Sequence, residues 1–361
     1  MKFLTAAVTL LCSMSVFAGP VDFGQAADYN LFLKQNFNVS GSDTQGRIAV
    51  GGNVVVNGGH DVGFKIDAFG MGSGPSLVVG GSVLKSGSGH LNVYEDGAHL
   101  APHSGDLVYA GSVSGSNIEA NLIKVNANQL PVDFDSAFAH LNQLSQDLAE
   151  RTVSAVTEHQ WSRLDFNPTS TPEDNVYVFN VTQEQINAST DWFVNGVADN
   201  ATIIFNVSNP NGIAAGQGNW TGYDCDAGQT GCVHLKQHSV IINGQRTGDH
   251  YEEHNLEGRL ASQVLYNFAG ATQVNLATDL YGSVLAPNAA IYANPSVIWG
   301  QVMANSWEGN MQINYDPFTP VGSNPPGQVS EPSLFGFFAL LAGLLMWQRG
   351  RPMTTRRVAL A

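Results

Sequence analysis

Three stretches of this chain repeat one pattern at a spacing that a stack of coils satisfies. The first is Arg47-Ile48-Ala49-Val50-Gly51-Gly52-Asn53-Val54-Val55-Val56, the second Ser76-Leu77-Val78-Val79-Gly80-Gly81-Ser82-Val83-Leu84, and the third Asp106-Leu107-Val108-Tyr109-Ala110-Gly111-Ser112-Val113. Their small-residue steps begin at 51, 80 and 110, a period of roughly thirty residues. Each copy reads as a short apolar strand, a glycine bend and a second short strand. A strand pair this short cannot bury its own face, whereas stacked copies bury each other's. Near the C-terminal end the pattern returns at shorter range, in Leu280–Ala286 and Ile298–Ala304, with Gly282 and Gly300 about one β-helical coil apart. The pattern predicts a mainly β chain folded as a right-handed parallel β-helix (solenoid), in which valines of successive copies, such as Val54 and Val83, lie one above another.

Composition agrees with an all-β, exported chain. Of the 361 residues only 12% are charged, against about 25% in ordinary soluble domains, and 39 are glycine. The formal charge of -15 lacks the clustered Lys and Arg that nucleic acid requires, so nucleic acid is excluded as a partner. Residues 1–18 read as a secretory signal: Lys2 supplies the positive start, Leu4 to Val16 is apolar, and Val16-Phe17-Ala18 suits cleavage before Gly19. Cys12 leaves with that segment. Cys225 and Cys232 then remain in a Gly- and Asp-rich loop, and in an oxidising compartment a disulfide is the default.

Along the mature chain, residues 21–45 are expected to cap the open end of the stack. Residues about 133–160 change period: Phe134, Phe138, Leu141, Leu144, Leu148 and Val153 recur at helical spacing, with Asp133 or Asp135 as N-cap. This predicts one long lateral α-helix packed along a solenoid face. Strand character resumes at Val176–Val181 and at 201–207, and short apolar runs recur from Leu265 to Tyr315, so the chain returns to the solenoid. The ectodomain is expected to span 19–318, followed by a linker at 319–330 and a tail at 331–357. In the tail, Glu331-Pro332 precedes the apolar run Leu334–Trp347, and Arg349, Arg351, Arg356 and Arg357 follow on what would be the cytoplasmic side of a short transmembrane helix.

That tail resembles a PEP-CTERM sorting signal of Gram-negative bacteria, with Ser330 where the first Pro of the core would stand. The resemblance implies handling by an exosortase-type processing enzyme, transient anchoring in the inner membrane through the C-terminal segment, and delivery to the cell surface. The ectodomain resembles the choice-of-anchor A family through Asp28-Tyr29-Asn30-Leu31-Phe32, Gly46–Gly52, Leu107–Gly111 and Gly282-Ser283-Val284-Leu285-Ala286-Pro287. This resemblance implies a surface protein with adhesin-like roles and no catalytic residues. Repeats plus helix are also similar to bacterial ice-binding solenoids, which rely on regular Thr ranks; no Thr-x-Thr series occurs here.

His250-Tyr251-Glu252-Glu253-His254 fits His-x-x-Glu-His, in which His250 and His254 on one helix face could bind zinc beside Glu253 as base. The preceding Asn243–Asp249 reads as a turn and no third ligand is identifiable, so these residues read mainly as a polar loop. Asp224 and Asp226 could hold Ca²⁺ with backbone carbonyls but lack EF-hand spacing. No Gly-x-Ser-x-Gly elbow and no Walker loop occurs. Among the tryptophans, Trp220 reads as exposed in its Gly-rich loop, and Trp161, Trp192, Trp299 and Trp307 as core. No cofactor is expected. The reading is a non-catalytic, cell-surface adhesive or matrix protein whose partners are an extracellular polysaccharide or a matrix protein. The alternatives are a polysaccharide-acting enzyme on the same scaffold and a zinc-dependent hydrolase.

Overall fold

A computed structural model describes residues 21–71, 73–95, 105–155, 157–172, 174–212, 225–226, 228–236, 240–249 and 260–321. The three repeats are stacked parallel rungs. Ile48 pairs with Leu77 and Leu77 with Leu107; after the bend, Val54 pairs with Val83 and Val83 with Val113. Val54 and Val83 are buried in the shared interior. The bend explains the rest of the motif. A Cβ on Gly80 would lie 2.3 Å from the Gly51 carbonyl oxygen, and one on Gly81 2.7 Å from that of Gly52, so the corner is built by backbone resting on backbone. The next residue bonds the rung beyond it: Asn53 Oδ1 accepts from the Ser82 N–H at 2.8 Å, and Ser82 Oγ from the Ser112 N–H at 3.0 Å. Glycine admits the neighbouring carbonyl, Asn or Ser satisfies a corner amide that has left the ladder, and Val fills the core.

Successive coils form three faces. Among the described residues the first face is a ten-stranded parallel sheet, in spatial order Asn121–Lys124, Asp106–Tyr109, Leu77–Val79, Ile48–Val50, Leu31–Leu33, Val302–Gly309, Ser283–Ala293, Val264–Asn267, Thr202–Ser208 and Val176–Thr182. The second face stacks Val113, Val83, Val54, Phe37, Trp307, Ile291, Val274 and Val233 inward. On the third side, strands from 42–44, 60–62, 91–93 and 118–119 continue through 312–314, 297–299 and 280–281. A separate five-stranded sheet, in order 157–160, 163–166, 191–194, 240–242 and 245–246, takes the corresponding place in the later coils. The short C-terminal spacing is one coil, with Val284 on Val302 and Leu280 on Ile298.

The expected N-terminal cap is a middle rung instead. Leu31 pairs with Ile48 on one side and with Val302 on the other. The chain therefore enters at mid-stack, coils outward through the three repeats, crosses back, and coils inward until it meets its own start. Asn30 secures this seam: its Nδ2 donates to the Gly300 carbonyl at 2.7 Å and its Oδ1 accepts from the Gly46 N–H at 3.0 Å. At one end of the stack lies the strand Val176–Thr182, whose outward edge is blocked by side chains. The Val176 N–H donates to Asp174, Val178 N–H to Ser154 Oγ, and Thr182 N–H to Gln185, while the Asn180 carbonyl accepts from Thr157.

The helix that crosses back, α1, spans Phe134–Glu150, capped by Asp133 accepting from the Ser136 N–H at 3.1 Å. It lies over the outward side of the first face, burying Phe138, Leu141 and Leu148 against Phe32, Val178, Ile204, Leu265, Leu285 and Met303. A ladder of Asn180, Asn206 and Asn267 rises from the same face. Asn206 Nδ2 donates to the Leu148 carbonyl at 2.9 Å, and Asn267 Nδ2 to that of Ser145 at 2.8 Å. The helix stops well before residue 160, and Val153 is exposed rather than part of its stripe. Arg151 turns extended because Ser154 is already committed to the edge of Val176–Thr182. A second, short helix, α2, spans Gln183–Ala188. Among the described residues no helix is long and apolar enough to cross a membrane. The signal, linker and tail expectations lie outside the described residues.

The corner contacts give a direct test. Gly80→Ala should lower stability by about 1–3 kcal/mol, as overpacking does. Gly41→Ala, where a Cβ meets nothing within 4 Å, should stay within about 0.5 kcal/mol of the parent. Denaturant unfolding of the two variants side by side measures the difference.

Candidate ligand-contacting surface

While α1 packs on the first face, the second face presents an outward row to solvent from Ser114 to Tyr292. Strand alternation puts every other residue outward. The register aligns Ser114, Leu84, Val55, Asn38, Glu308 and Tyr292 in one outward row; the next two positions of the row, Asn275 and His234, are buried. Leu84 is 43% exposed in this row. A groove of 380 Å³ opens in the middle of this face, at the seam between the two halves of the chain. Asn38, Val55, Asn57 and Glu308 line its floor and sides. Its rim is fixed by Asn310, whose Oδ1 accepts from the backbone N–H groups of Ser40 at 2.8 Å and Gly41 at 3.2 Å, and whose Nδ2 donates to Ser40 Oγ at 2.9 Å. The groove exists because the strand Phe37–Thr44 slips register between Val39 and Gly41 as it rounds the corner.

On the third side the outward row is Glu119, Asn92, Asp61, Asp43 and Gln312. Asn92 donates to Asp61 at 2.6 Å and Gln312 to Asp43 at 2.9 Å. Burial pushes the Asp43 carboxyl above its usual range; the Gln312 amide pulls it down, neighbouring Asp61 pushes it up, and Lys65 pulls it down. Asp61 and Asp43 are held by these amides, and Glu119 lies 3.4 Å from His90 Nδ1; of the acids only Glu308 lines the 380 Å³ groove.

Beneath that row, His60 is wholly buried between Phe37, whose ring centroid is 5.3 Å away, and Thr44, whose Oγ1 lies 3.3 Å from Nε2. Its Nδ1 has no hydrogen-bond partner. Burial holds its pKa down to about 3, with a backbone bond involving Ser42 pulling weakly the other way.

Cys225 and Cys232 are joined by a disulfide, with Cα atoms 5.8 Å apart. Cys232 and His234 are buried beside it, and Asn275 Nδ2 lies 3.2 Å from His234 Nδ1. The backbone N–H of Asp226 donates to Gln229 Oε1 at 2.9 Å, and the Asp226 side chain is exposed in that turn. His250, Glu253 and His254 lie outside the described residues, as do Asp224, Trp220, Glu331, Pro332, Arg349 and Arg351. Trp192 and Trp307 are core and Trp299 is half-buried. Trp161, expected in the core, is instead 92% exposed, because it sits in the turn between paired strands 157–160 and 163–166. Asn38, Glu308 and Asn310 were not singled out from the sequence. They meet only because the chain's two ends share rungs, and no local motif marks that.

His60 makes stability depend on pH. Its folded pKa lies below the unfolded value near 6.5, so between the two the unfolded chain binds the extra proton. Its contribution is complete above about pH 6.5 and is lost toward pH 3, at up to about 1.4 kcal/mol per unit. Thermal unfolding across pH 7 to 4 should show a steeper decline for the parent than for His60→Leu.

A family model of an ice-binding-like adhesive domain matches residues 22–315. Comparison with curated proteins gives no match. Among solved structures, an ice-binding protein of the Antarctic ascomycete Antarctomyces psychrotrophicus is similar over 84% of this chain and 100% of its own, at 13% identity and a TM-score of 0.36. The ice-binding protein 1 domain of Shewanella frigidimarina is similar over 84% of this chain and 98% of its own, at 10% identity and 0.32. A glycosylated ice-binding protein from an Arctic yeast is similar over 87% and 99%, at 10% identity and 0.30.

Proposed function

The chain belongs to the ice-binding-like adhesive domain family, and from that membership we propose that it is a non-catalytic adhesive rod acting at the cell surface or in the extracellular matrix. One observation carries the reading: a broad sheet face lies open to solvent with a mixed row of Ser114, Leu84, Val55, Asn38, Glu308 and Tyr292 and a groove in its middle. A row that combines apolar, amide, acidic and aromatic groups suits a chemically uneven polymer, either a polysaccharide or a matrix protein. Ordered water would call for a uniform row of short hydroxyl-bearing residues, and Glu308 and Tyr292 interrupt any such row. A rigid rod also lets many weak contacts act together when several copies share one surface.

The finer reading is a secreted choice-of-anchor A protein, delivered by its N-terminal signal and sorted through a PEP-CTERM-like tail with an exosortase-type enzyme as processing partner. The order of segments in the sequence supports it. A polysaccharide-acting enzyme is the second reading, favoured by the neighbouring carboxylates of Asp43 and Asp61. Against it, both are engaged by amides, and the open groove carries one acid where glycoside cleavage ordinarily uses two.

The test is a glycan and matrix-protein array probed with the purified protein, with an ice-growth assay and a reducing-sugar assay in parallel. Array binding should weaken about tenfold or more in Leu84→Glu combined with Asn38→Ala, a change in contact energy of about 1.4 kcal/mol or more. Ice-growth inhibition without array binding would replace adhesion by ice binding, and released reducing ends would replace it by catalysis.

A further inference from the structure

Trp161 combines three properties that seldom coincide. Its side chain is 92% exposed, while Trp192 and Trp307 are buried. It has a backbone φ of +60°. It is the first of two residues connecting the antiparallel strands 157–160 and 163–166, whose closing pair is Gln160 with Arg163. In a two-residue hairpin connection, a positive φ at that position is where glycine belongs. A bulky residue there is a real backbone outlier. A folding argument would put glycine at 161 and a large aromatic in the core; the chain does neither. An outlier of this kind, held at an exposed tip, is grounds for inferring a task for the side chain.

The surroundings identify the task. Strand alternation places Glu158, Gln160, Arg163 and Asp165 on the outward side of the same hairpin, with Phe193 and Ile241 beyond them. Arg163 is held rigidly. Its Nε donates to both Asp165 carboxylate oxygens at 2.7 and 2.8 Å, and its guanidinium carbon lies 3.6 Å from the Phe193 ring centroid. Its side chain is still 41% exposed, so donors remain for a ligand. One open indole beside a fixed guanidinium, an amide and a carboxylate meets the needs of a pyranose ring: an aromatic platform for the C–H face and bidentate polar groups for the hydroxyls. A membrane-inserting tip would carry further apolar residues or a cluster of basic ones; this one carries Glu158, His159, Gln160 and Ser162, and its one Arg, Arg163, is paired with Asp165. A protein hot spot would sit inside a packed apolar patch ringed by contacts.

We infer that the Trp161 hairpin tip is a carbohydrate-stacking site, with Gln160 and Arg163 as its hydrogen-bonding partners, taking the pyranose rings of an extracellular polysaccharide. This deepens the adhesive reading by naming a ligand class and a contact outside the second face, and it rests on that reading only for its biological setting.

Affinity electrophoresis of the full chain tests it, in native gels containing hydroxyethyl cellulose, a soluble galactan or alginate, with the variants Trp161→Gly, Trp161→Phe, Gln160→Ala and Leu84→Glu. The parent should be retarded by at least one polymer. Trp161→Gly should weaken that retardation tenfold or more while melting at the same or a higher temperature, since glycine relieves the backbone. Trp161→Phe should keep part of it, and Gln160→Ala should weaken it less than Trp161→Gly. No retardation of the parent in any gel, or equal retardation of the parent and Trp161→Gly, overturns the inference. So does Trp161-dependent binding to phosphatidylcholine–phosphatidylglycerol vesicles in place of polysaccharide. Loss of retardation in Leu84→Glu with Trp161→Gly unaffected overturns the hairpin site while leaving adhesion through the second face standing.

Discussion

The contact between a glycine and the carbonyl of the rung beside it governs this structure. At 51, 80, 81, 111 and 300 a Cβ would fall within 2.3–2.7 Å of a neighbouring backbone oxygen. At these positions a rung can therefore turn its corner against the neighbouring carbonyl only because no side chain stands there. Once the corners close, the valines on either side must face inward and lie over those of the next coil. Burial of Ile48, Leu77 and Leu107 on one face and of Val54 and Val83 on the next follows from that geometry.

A stack of this kind has ends, and ends expose backbone. Here the sequence solves the problem in an unexpected way. The N-terminal strand does not close an end; Leu31–Leu33 fills a gap between Ile48–Val50 and Val302–Ala304. Its position means that the middle of the rod forms only when residues far apart in the chain have both arrived, a non-local arrangement of the type associated with slow folding. Helix α1 makes the arrangement possible by carrying the chain from one end to the other, and the Asn206 and Asn267 side chains tie its carbonyls to the sheet it crosses.

The same topology divides the surface by role. The first face is spent on α1, and the edge at Val176 is closed by Asp174, Ser154, Thr157 and Gln185. The second face remains, with its groove at the seam, and so does the Trp161 hairpin beside the later coils. The two differ in kind. The seam groove is shaped by backbone register and fixed by Asn310, while the hairpin presents one aromatic ring at a backbone angle better suited to glycine.

Much of the fold was legible from residues alone. The Gly-Gly period, the single-coil spacing at Gly282 and Gly300, and the helical stripe from Phe134 to Leu148 all report local periods, and local sterics and burial enforce those periods wherever the segment goes. Other features were not legible. That residues 21–45 lie mid-stack, that Asn38 and Glu308 share a rung, and that Trp161 points to solvent depend on which distant strand a segment pairs with. Two parallel strands of similar apolar pattern offer nearly equal partners until the whole stack is assembled. The sequence by itself determined that this chain would coil, and where it would bend, because a corner without room for a Cβ is a local demand. Only the tertiary structure decided the order of the coils, the buried face and the open one, because those choices are made by the burial energy of the completed stack rather than by any one segment of it.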